Sequence, residues 1–330
     1  MRRLIMLSFP DFEKKRIVVV FATEGQKFAI KNDNLVVKNS DDKIILQDTC
    51  YRVLSLWIIG NCSVTSVLLK KSKKHGFPIF HLGGNFRLIG VWNSATEGNF
   101  LLRYKQYQYS NKEIAKRLVL NKITNQMELL KALRQKDEMT KLAIEQLSSY
   151  LVKIPTTTDW KEILGVEGIA SKVFFSAYFS QTNWKGRQPR AKMNSMNVLM
   201  DIGYTFLFYW IENMLSLYGF DLYKGVYHQN FYQRKSLVCD IIEPFRCIID
   251  NQLRKAYNLG QIKEDDFIVY RNQYQLKPEK SKEYTRWLLL AILDYKEPIY
   301  YYCRDYYRAF ITEKPVENYP FFNYNSSKKK

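Results

Sequence analysis

The chain has 330 residues, 46% of them hydrophobic, and its 51 Lys+Arg against 32 Asp+Glu leave a net charge of +19. That length exceeds what one core usually serves, so two domains are the default expectation, and the positive excess is larger than solubility needs and suits a polyanionic partner. The strongest apolar run, "VLMDIGYTFLFYWI", is interrupted by Asp201, and the start has too short an apolar stretch before Asp11 and Glu13 for an export signal, so a soluble cytoplasmic protein facing nucleic acid rather than membrane is expected.

Short β-branched segments separated by turn residues fill the first ninety or so positions. "RIVVVFATEG", "QKFAIKNDN", "NLVVKNSDD" and "KIILQDTC" are punctuated by Asn, Asp or Gly, as successive antiparallel strands would be. "SVTSVLLKKSKKHG" has helical spacing between a Ser/Thr start and a Gly end, and "FPIFHLGG" and "FRLIGVW" return to strand character. Residues 1–95 therefore read as a β-rich domain.

From residue 96 to 330 the segments lengthen and their apolar residues recur at three and four, predicting a helical domain. "NKEIAKRLVLNKITNQMELLKALR" carries Ile114, Leu118, Ile123, Met127 and Leu130 through a charged sequence, and "KDEMTKLAIEQLSSYLVKI" predicts a second helix ending before Pro155. "DWKEILGVEGIASKVFFSAYF" predicts a third, opened by Asp159 with Glu162 three residues on. "SMNVLMDIGYTFLFYWIENMLSLYG" is apolar nearly all round and marks the centre of the domain. Helices near 236–258 and 281–294 complete the pattern. Between the third and fourth helices, "SQTNWKGRQPRAKMNS" offers Lys185, Arg187, Arg190 and Lys192 beside Trp184, which suits phosphate contacts with a stacking residue and equally suits a solvated loop.

The chemistry-bearing residues are few. The five cysteines are odd in number and form no CxxC pair, which excludes zinc ribbons and disulfide scaffolds and leaves reduced, buried thiols. Of three histidines, His228 is followed twelve and fifteen residues later by Asp240 and Glu243, and Pro244 comes next. Hard cations such as Mg2+ or Mn2+ take carboxylate oxygens, Mn2+ also takes imidazole, and phosphodiester chemistry usually needs such a metal. Asp240 and Glu243 share a helix face, and Pro244 requires a bend or a new helix beside them. By spacing alone this is either a metal shell or a solvated histidine with two surface acids. The acids lie in the apolar run "SLVCDIIEPF", where unpaired carboxylates are costly, so something positive should face them. Glu167 in "LGVEGIASKVFF" sits in an uncharged stretch beside Gly168, which suggests close approach of another group; an acid on an exposed stripe is the other reading.

With these residues in hand the chain resembles the CRISPR-associated protein one family, the integrase of CRISPR spacer acquisition. The resemblance rests on "IIGNCSVTSVLLKKSKKHGFPIFHLGGNFRLIG", "LVLNKITNQMELL", the Glu-Gly of "GVEGIASKVFFSAYF", "MNVLMDIGYTFL" with Asn197, Gly203 and Tyr204, and His228 followed by Ser-Leu and "DIIEPFR". It implies an α+β fold, a β-sandwich-like N-terminal domain serving dimerisation followed by a larger all-α catalytic domain. It implies Glu167, His228 and Glu243 as catalytic metal ligands for Mg2+ or Mn2+, with Asp240 supporting them. Arg234, Lys235 and Arg246, together with Lys185, Arg187 and Arg190, are then expected to contact DNA, and Ser236 to cap its helix or bond a phosphate. The implied activity is attack by the 3′ hydroxyl of a short DNA fragment on a phosphodiester at the leader-repeat junction, by a prokaryotic cytoplasmic homodimer working on double-stranded DNA with CRISPR-associated protein two. Two other readings use the same surface: a structure-selective repair nuclease on branched DNA and a catalytically inactive DNA-binding module.

Overall fold

The computed structural model describes residues 8–93, 98–182, 184, 186–188, 192–228 and 231–326. They divide into two compact units, one of residues up to 99 with 216–219, the other of 100–215 with 220–330.

The first unit opens with α1 (Phe9–Lys14), capped by Ser8, and continues through β1 (Arg16–Phe21), β2 (Lys27–Lys31), β3 (Asn34–Lys38), β4 (Ile44–Thr49), β5 (Val53–Ile59), α2 (Ser66–His75), β6 (Ile79–Leu82) and β7 (Leu88–Trp92). Two sheets form, ordered β1-β5-β6-β7 and β2-β3-β4. Val18, Val20, Leu56 and Ile58 of the first sheet and Phe28, Leu35 and Val37 of the second share one core with Leu68 and Phe77, which is the sandwich-like packing expected. The two-residue turn between β2 and β3 places Asn32 and Asp33 at φ 50° and 57°, the left-handed pair that a tight hairpin needs. Asp33 is then held by Lys71 at 2.6 Å and His75 at 3.1 Å, while His81 Nε2 lies 2.8 Å from the Gly60 carbonyl, so two of the three histidines have structural partners. Thr65 caps α2 and Gly76 ends it at φ 72°, as the sequence predicts.

Not all four opening segments are successive antiparallel strands. β2, β3 and β4 are, but β1 pairs in parallel with β5, which pairs in parallel with β6. The cause is β5, "VLSLWII", buried at every residue; a strand apolar on both faces takes the centre of a sheet and draws parallel partners through the β2–β4 and α2 crossovers.

The second unit is built from α3 (Phe100–Gln108), α4 (Glu113–Lys131), α5 (Glu138–Thr156), α6 (Trp160–Tyr178), α7 (Ser195–Tyr218) up to Leu215, α8 (Ser236–Ile242), α9 (Arg246–Asn258), α10 (Pro278–Leu293) and α11 (Lys296–Ile311). A short hairpin, β8 (Phe267–Tyr270) and β9 (Gln273–Leu276), interrupts the helices. α4 packs against α5, α6, α9 and a 3-10 turn at Glu243–Phe245. Glu162 accepts the Asp159 N–H at 3.4 Å and the Thr158 N–H at 2.9 Å, fixing the start of α6. α5 runs past Pro155 to Thr156, because a proline in the last turn forfeits only one terminal bond; its carbonyl accepts the Lys116 ammonium at 3.2 Å. α7 is buried on nearly all sides, and Gly203 lets it approach α9, where a Cβ would lie 2.6 Å from Ile249 Cγ2.

Two asparagines of α4 organise this unit. Asn121 donates to the Phe322 carbonyl at 2.6 Å and accepts the Phe322 N–H at 2.8 Å. Asn125, one turn on, donates to the carbonyls of Pro244 at 3.1 Å and Phe322 at 3.0 Å and accepts the Tyr324 N–H at 2.9 Å. The 3-10 turn and the segment around residue 322 are thus tied to one helix face. Among the described residues no helix is long and apolar enough to cross a membrane, and all five cysteines are free.

Candidate metal centre

Pro244 cannot continue α8, and the chain makes one 3-10 turn before α9 starts at Arg246. That turn delivers Glu243 into the interior, where its side chain is 5% exposed. Glu167 reaches the same place from α6, its Oε1 accepting the Ser171 hydroxyl at 3.2 Å. Between them stands Lys122 of α4, whose ammonium bonds Glu167 and lies 2.7 Å from Glu243 Oε2. The Lys122 ammonium acts on Glu243 both as a charge and as a hydrogen-bond donor. The other Glu243 oxygen meets Arg246 at 3.0 Å, and the guanidinium lies over the Tyr204 ring at 4.6 Å.

Charge governs this cluster. Burial opposes ionisation of Glu243, but Arg246, Lys122 and His228 outweigh it and hold the carboxyl well below the usual carboxylate range. Burial likewise opposes the charge on Lys122, and Glu243 and Glu167 more than offset it, keeping its pKa above the ordinary lysine value. The positive group that the buried acids require is therefore supplied from within.

His228 is held by Asp240, which is fully buried in α8 and accepts the backbone N–H groups of Val226 at 2.6 Å, Tyr227 at 3.0 Å and His228 at 2.8 Å. Its Oδ1 also lies 2.7 Å from His228 Nδ1. A carboxylate that takes three amide donors presents acceptors to the ring, so Nδ1 carries a proton, and in the neutral ring it is Nε2 that has the lone pair. The loop must pass close to achieve this: a Cβ at Gly225 would meet Asp240 Oδ2 at 2.7 Å and the His228 carbonyl at 2.9 Å.

The structure thus brings Glu167 and Glu243 onto one cation and has Asp240 orient His228, which when protonated helps to hold the Glu243 carboxyl ionised. Among the described residues no three His, Cys, Asp or Glu side chains already stand at ligating distances from one point. The donor set nevertheless suits a hard divalent cation: two converging carboxylates for which the ammonium is a stand-in, and an imidazole nitrogen kept free of its supporting acid.

Of the six cations expected on DNA, Lys185 and Arg190 lie outside the described residues. Arg187 pairs with Asp201 at 2.6 Å and donates to Asn197 Oδ1 at 3.2 Å, and Lys235 pairs with Glu212 at 2.5 Å. Arg246 is engaged as above, and Arg234 lies over Phe231 at 5.9 Å and donates to Ser236 Oγ at 3.4 Å. A phosphate would have to compete with these internal partners. Ser236 does not cap α8, because Lys235 occupies the cap position and Ser236 is the first helical residue. The close approach expected at Gly168 is also absent: a Cβ there would meet nothing within 4 Å, since this face of α6 points outward.

Lys122 was not foreseen. The signal was present in "NKITNQ", where Asn121, Lys122, Asn125 and Gln126 take buried positions on a helix whose other buried residues are apolar. Polar residues on the inward stripe need partners, and Asn121, Lys122 and Asn125 have them.

The architecture has solved counterparts. The chain superposes on a Cas6-RT-Cas1–Cas2 complex with a TM-score of 0.80 at 22% identity, over 94% of this chain and 36% of that one, and on a casposase bound to integration product with a TM-score of 0.76 at 18% identity, over 93% and 94%. These likenesses are of fold. In sequence, residues 19–288 match the family model of CRISPR associated protein Cas1, and the chain belongs to that family. Among its curated relatives is the CRISPR-associated endonuclease Cas1 1 of Thermodesulfovibrio yellowstonii, 32% identical over 219 residues that make up 62% of this chain and 69% of the relative.

Proposed function

We propose that this chain is a metal-dependent DNA integrase and endonuclease of CRISPR adaptation, with Glu167, His228 and Glu243 holding Mg2+ or Mn2+. The observation that carries the reading is the convergence of Glu167 and Glu243 on the single Lys122 ammonium beside a histidine whose tautomer Asp240 fixes. In the reaction the 3′ hydroxyl of a DNA fragment gives up its proton as its oxygen bonds to a phosphorus of the target strand, the bond from that phosphorus to the strand's own 3′ oxygen breaks, and the departing oxygen takes up a proton, so that none is gained or lost overall. The metal, when bound, would supply charge stabilisation at the phosphoryl oxygens and lower the pKa of the attacking hydroxyl. Asp240 keeps the His228 lone pair on Nε2, and Arg246 keeps Glu243 ionised and aimed. Gly165 and Gly168, both exposed on α6 near Glu167, have open space where a Cβ would lie, which gives a strand room to approach.

The net charge of +19 supports double-stranded DNA as substrate. The exposed residues Leu88, Ile89 and Trp92 on the edge strand β7 support assembly through the β-rich unit as a homodimer. A Cas2 partner is supported by the complex that one structural neighbour forms. The test is to incubate the purified chain and Mn2+ with a 3′-hydroxyl fragment and a plasmid carrying a repeat. Joined product that vanishes with Glu167→Gln, His228→Ala or Glu243→Gln is expected. Cleavage of a branched junction without joining would favour a repair nuclease, and neither activity would leave a DNA-binding module.

A further inference from the structure

Lys122 lies mid-helix in α4 and is 9% exposed, on a helix whose buried residues are mostly apolar. A buried ammonium is retained only where its charge has a partner, and this one has two, Glu167 from α6 and Glu243 from the 3-10 turn. Glu243 divides its oxygens between two cations, Oε1 to Arg246 at 3.0 Å and Oε2 to Lys122 at 2.7 Å. Arg246 is itself held in place, its guanidinium lying 4.6 Å over the Tyr204 ring, whereas the Lys122 ammonium ends a flexible four-carbon stem. Lys122 is thus the more easily displaced of the two.

We propose that Lys122 is a resident counter-ion of the carboxylate pair, which it holds in register and which it surrenders when a divalent cation binds. The inference rests on Glu167 and Glu243 being the metal ligands. Lys122 and a metal ion compete for the same oxygens, because carboxylates that close to about 2.1 Å around Mg2+ leave no place between them for an ammonium. Lys122 is accordingly a positioning residue that aligns the pair in advance and sets how tightly the metal is held. Two ligands that exclude each other are negatively coupled, and removing one strengthens the other.

The test is Mn2+ titration by calorimetry into the full chain, with melting followed in EDTA and in Mn2+. Lys122→Met is expected to bind Mn2+ about tenfold more tightly than the parent chain. It should also melt lower in EDTA, where two carboxylates lose a counter-ion, and gain more on adding Mn2+. Unchanged or weaker binding with an equal or smaller gain would overturn the proposal. A second measurement does not depend on the fold of that variant. In the parent chain labelled with 13C at lysine Cε, the resonance missing from Lys122→Arg should shift saturably with Mg2+, and a resonance that stays put overturns the displacement. Glu167→Gln and Glu243→Gln separate the two levels of the argument. If neither weakens Mn2+ binding, the ligand assignment itself fails; if both weaken it and Lys122→Met changes nothing, only the role of Lys122 fails.

Discussion

Asp240 accepts four contacts through two oxygens, and only one of them concerns the imidazole. Asp240→Asn keeps the size but can turn an N–H toward His228, so the ring tautomer is no longer fixed. Strand joining should fall by about 10- to 100-fold while DNA binding by gel shift is unchanged. A loss as complete as that of Glu243→Gln would promote Asp240 to a ligand. Asp250 gives a separate test, read as melting temperature against pH in EDTA. Burial lifts its carboxyl to about 7, against the hydrogen bond from Tyr204 and the charges of Arg246, Arg187 and Lys122. Its folded pKa is above the unfolded value of about 3.9, so its contribution is full below about pH 4 and is lost as pH rises through about 7. Glu243 has the opposite sign: its folded pKa is depressed, so its contribution is present above about pH 4.3 and is lost at lower pH. The chain should therefore melt highest near pH 5, and Asp250→Asn should remove the decline toward pH 8. A parent chain that melts higher at pH 8 than at pH 5 contradicts this.

The 3-10 turn at Glu243–Phe245 is aimed by a neighbour rather than by itself, because the Pro244 carbonyl is held by Asn125. Asn125→Ala leaves two buried carbonyls without that donor and should cost about 1–3 kcal/mol in urea unfolding. Joining should drop further than that loss of stability explains, since the Glu243 turn is freed; activity that follows the folded fraction alone would show that the turn holds its own shape. The elements differ in how much of this could be read beforehand. α2 announced both ends because Thr65 and Gly76 act locally, and Pro244 announced a break because ring geometry allows nothing else. β5 was passed over because an evenly apolar strand has no period to detect, and with it went the parallel pairing of β1. Glu167 could be placed by family likeness and not by spacing. Lys122 was hidden because its reason for being buried is two acids that lie 45 and 121 residues further along the chain.

For the whole molecule, the surplus of positive charge predicts binding that is governed by salt. If six to ten phosphates are engaged, DNA affinity should fall by about 10³- to 10⁵-fold between 50 and 200 mM salt. Arg187→Ala should lower the melting temperature and leave the salt slope unchanged, because Arg187 is committed to Asp201 and Asn197. A slope reduced by about one would instead place Arg187 on a phosphate. The asparagine ties of α4 bear on timing as well as geometry. They join residues 201 and 199 positions apart, and contacts of such separation form late, after the local helices and hairpins. The turn bearing Glu243 is fixed only when the segment around residue 322 docks. On the proposed function, the carboxylate site is therefore the last part of the machinery to form.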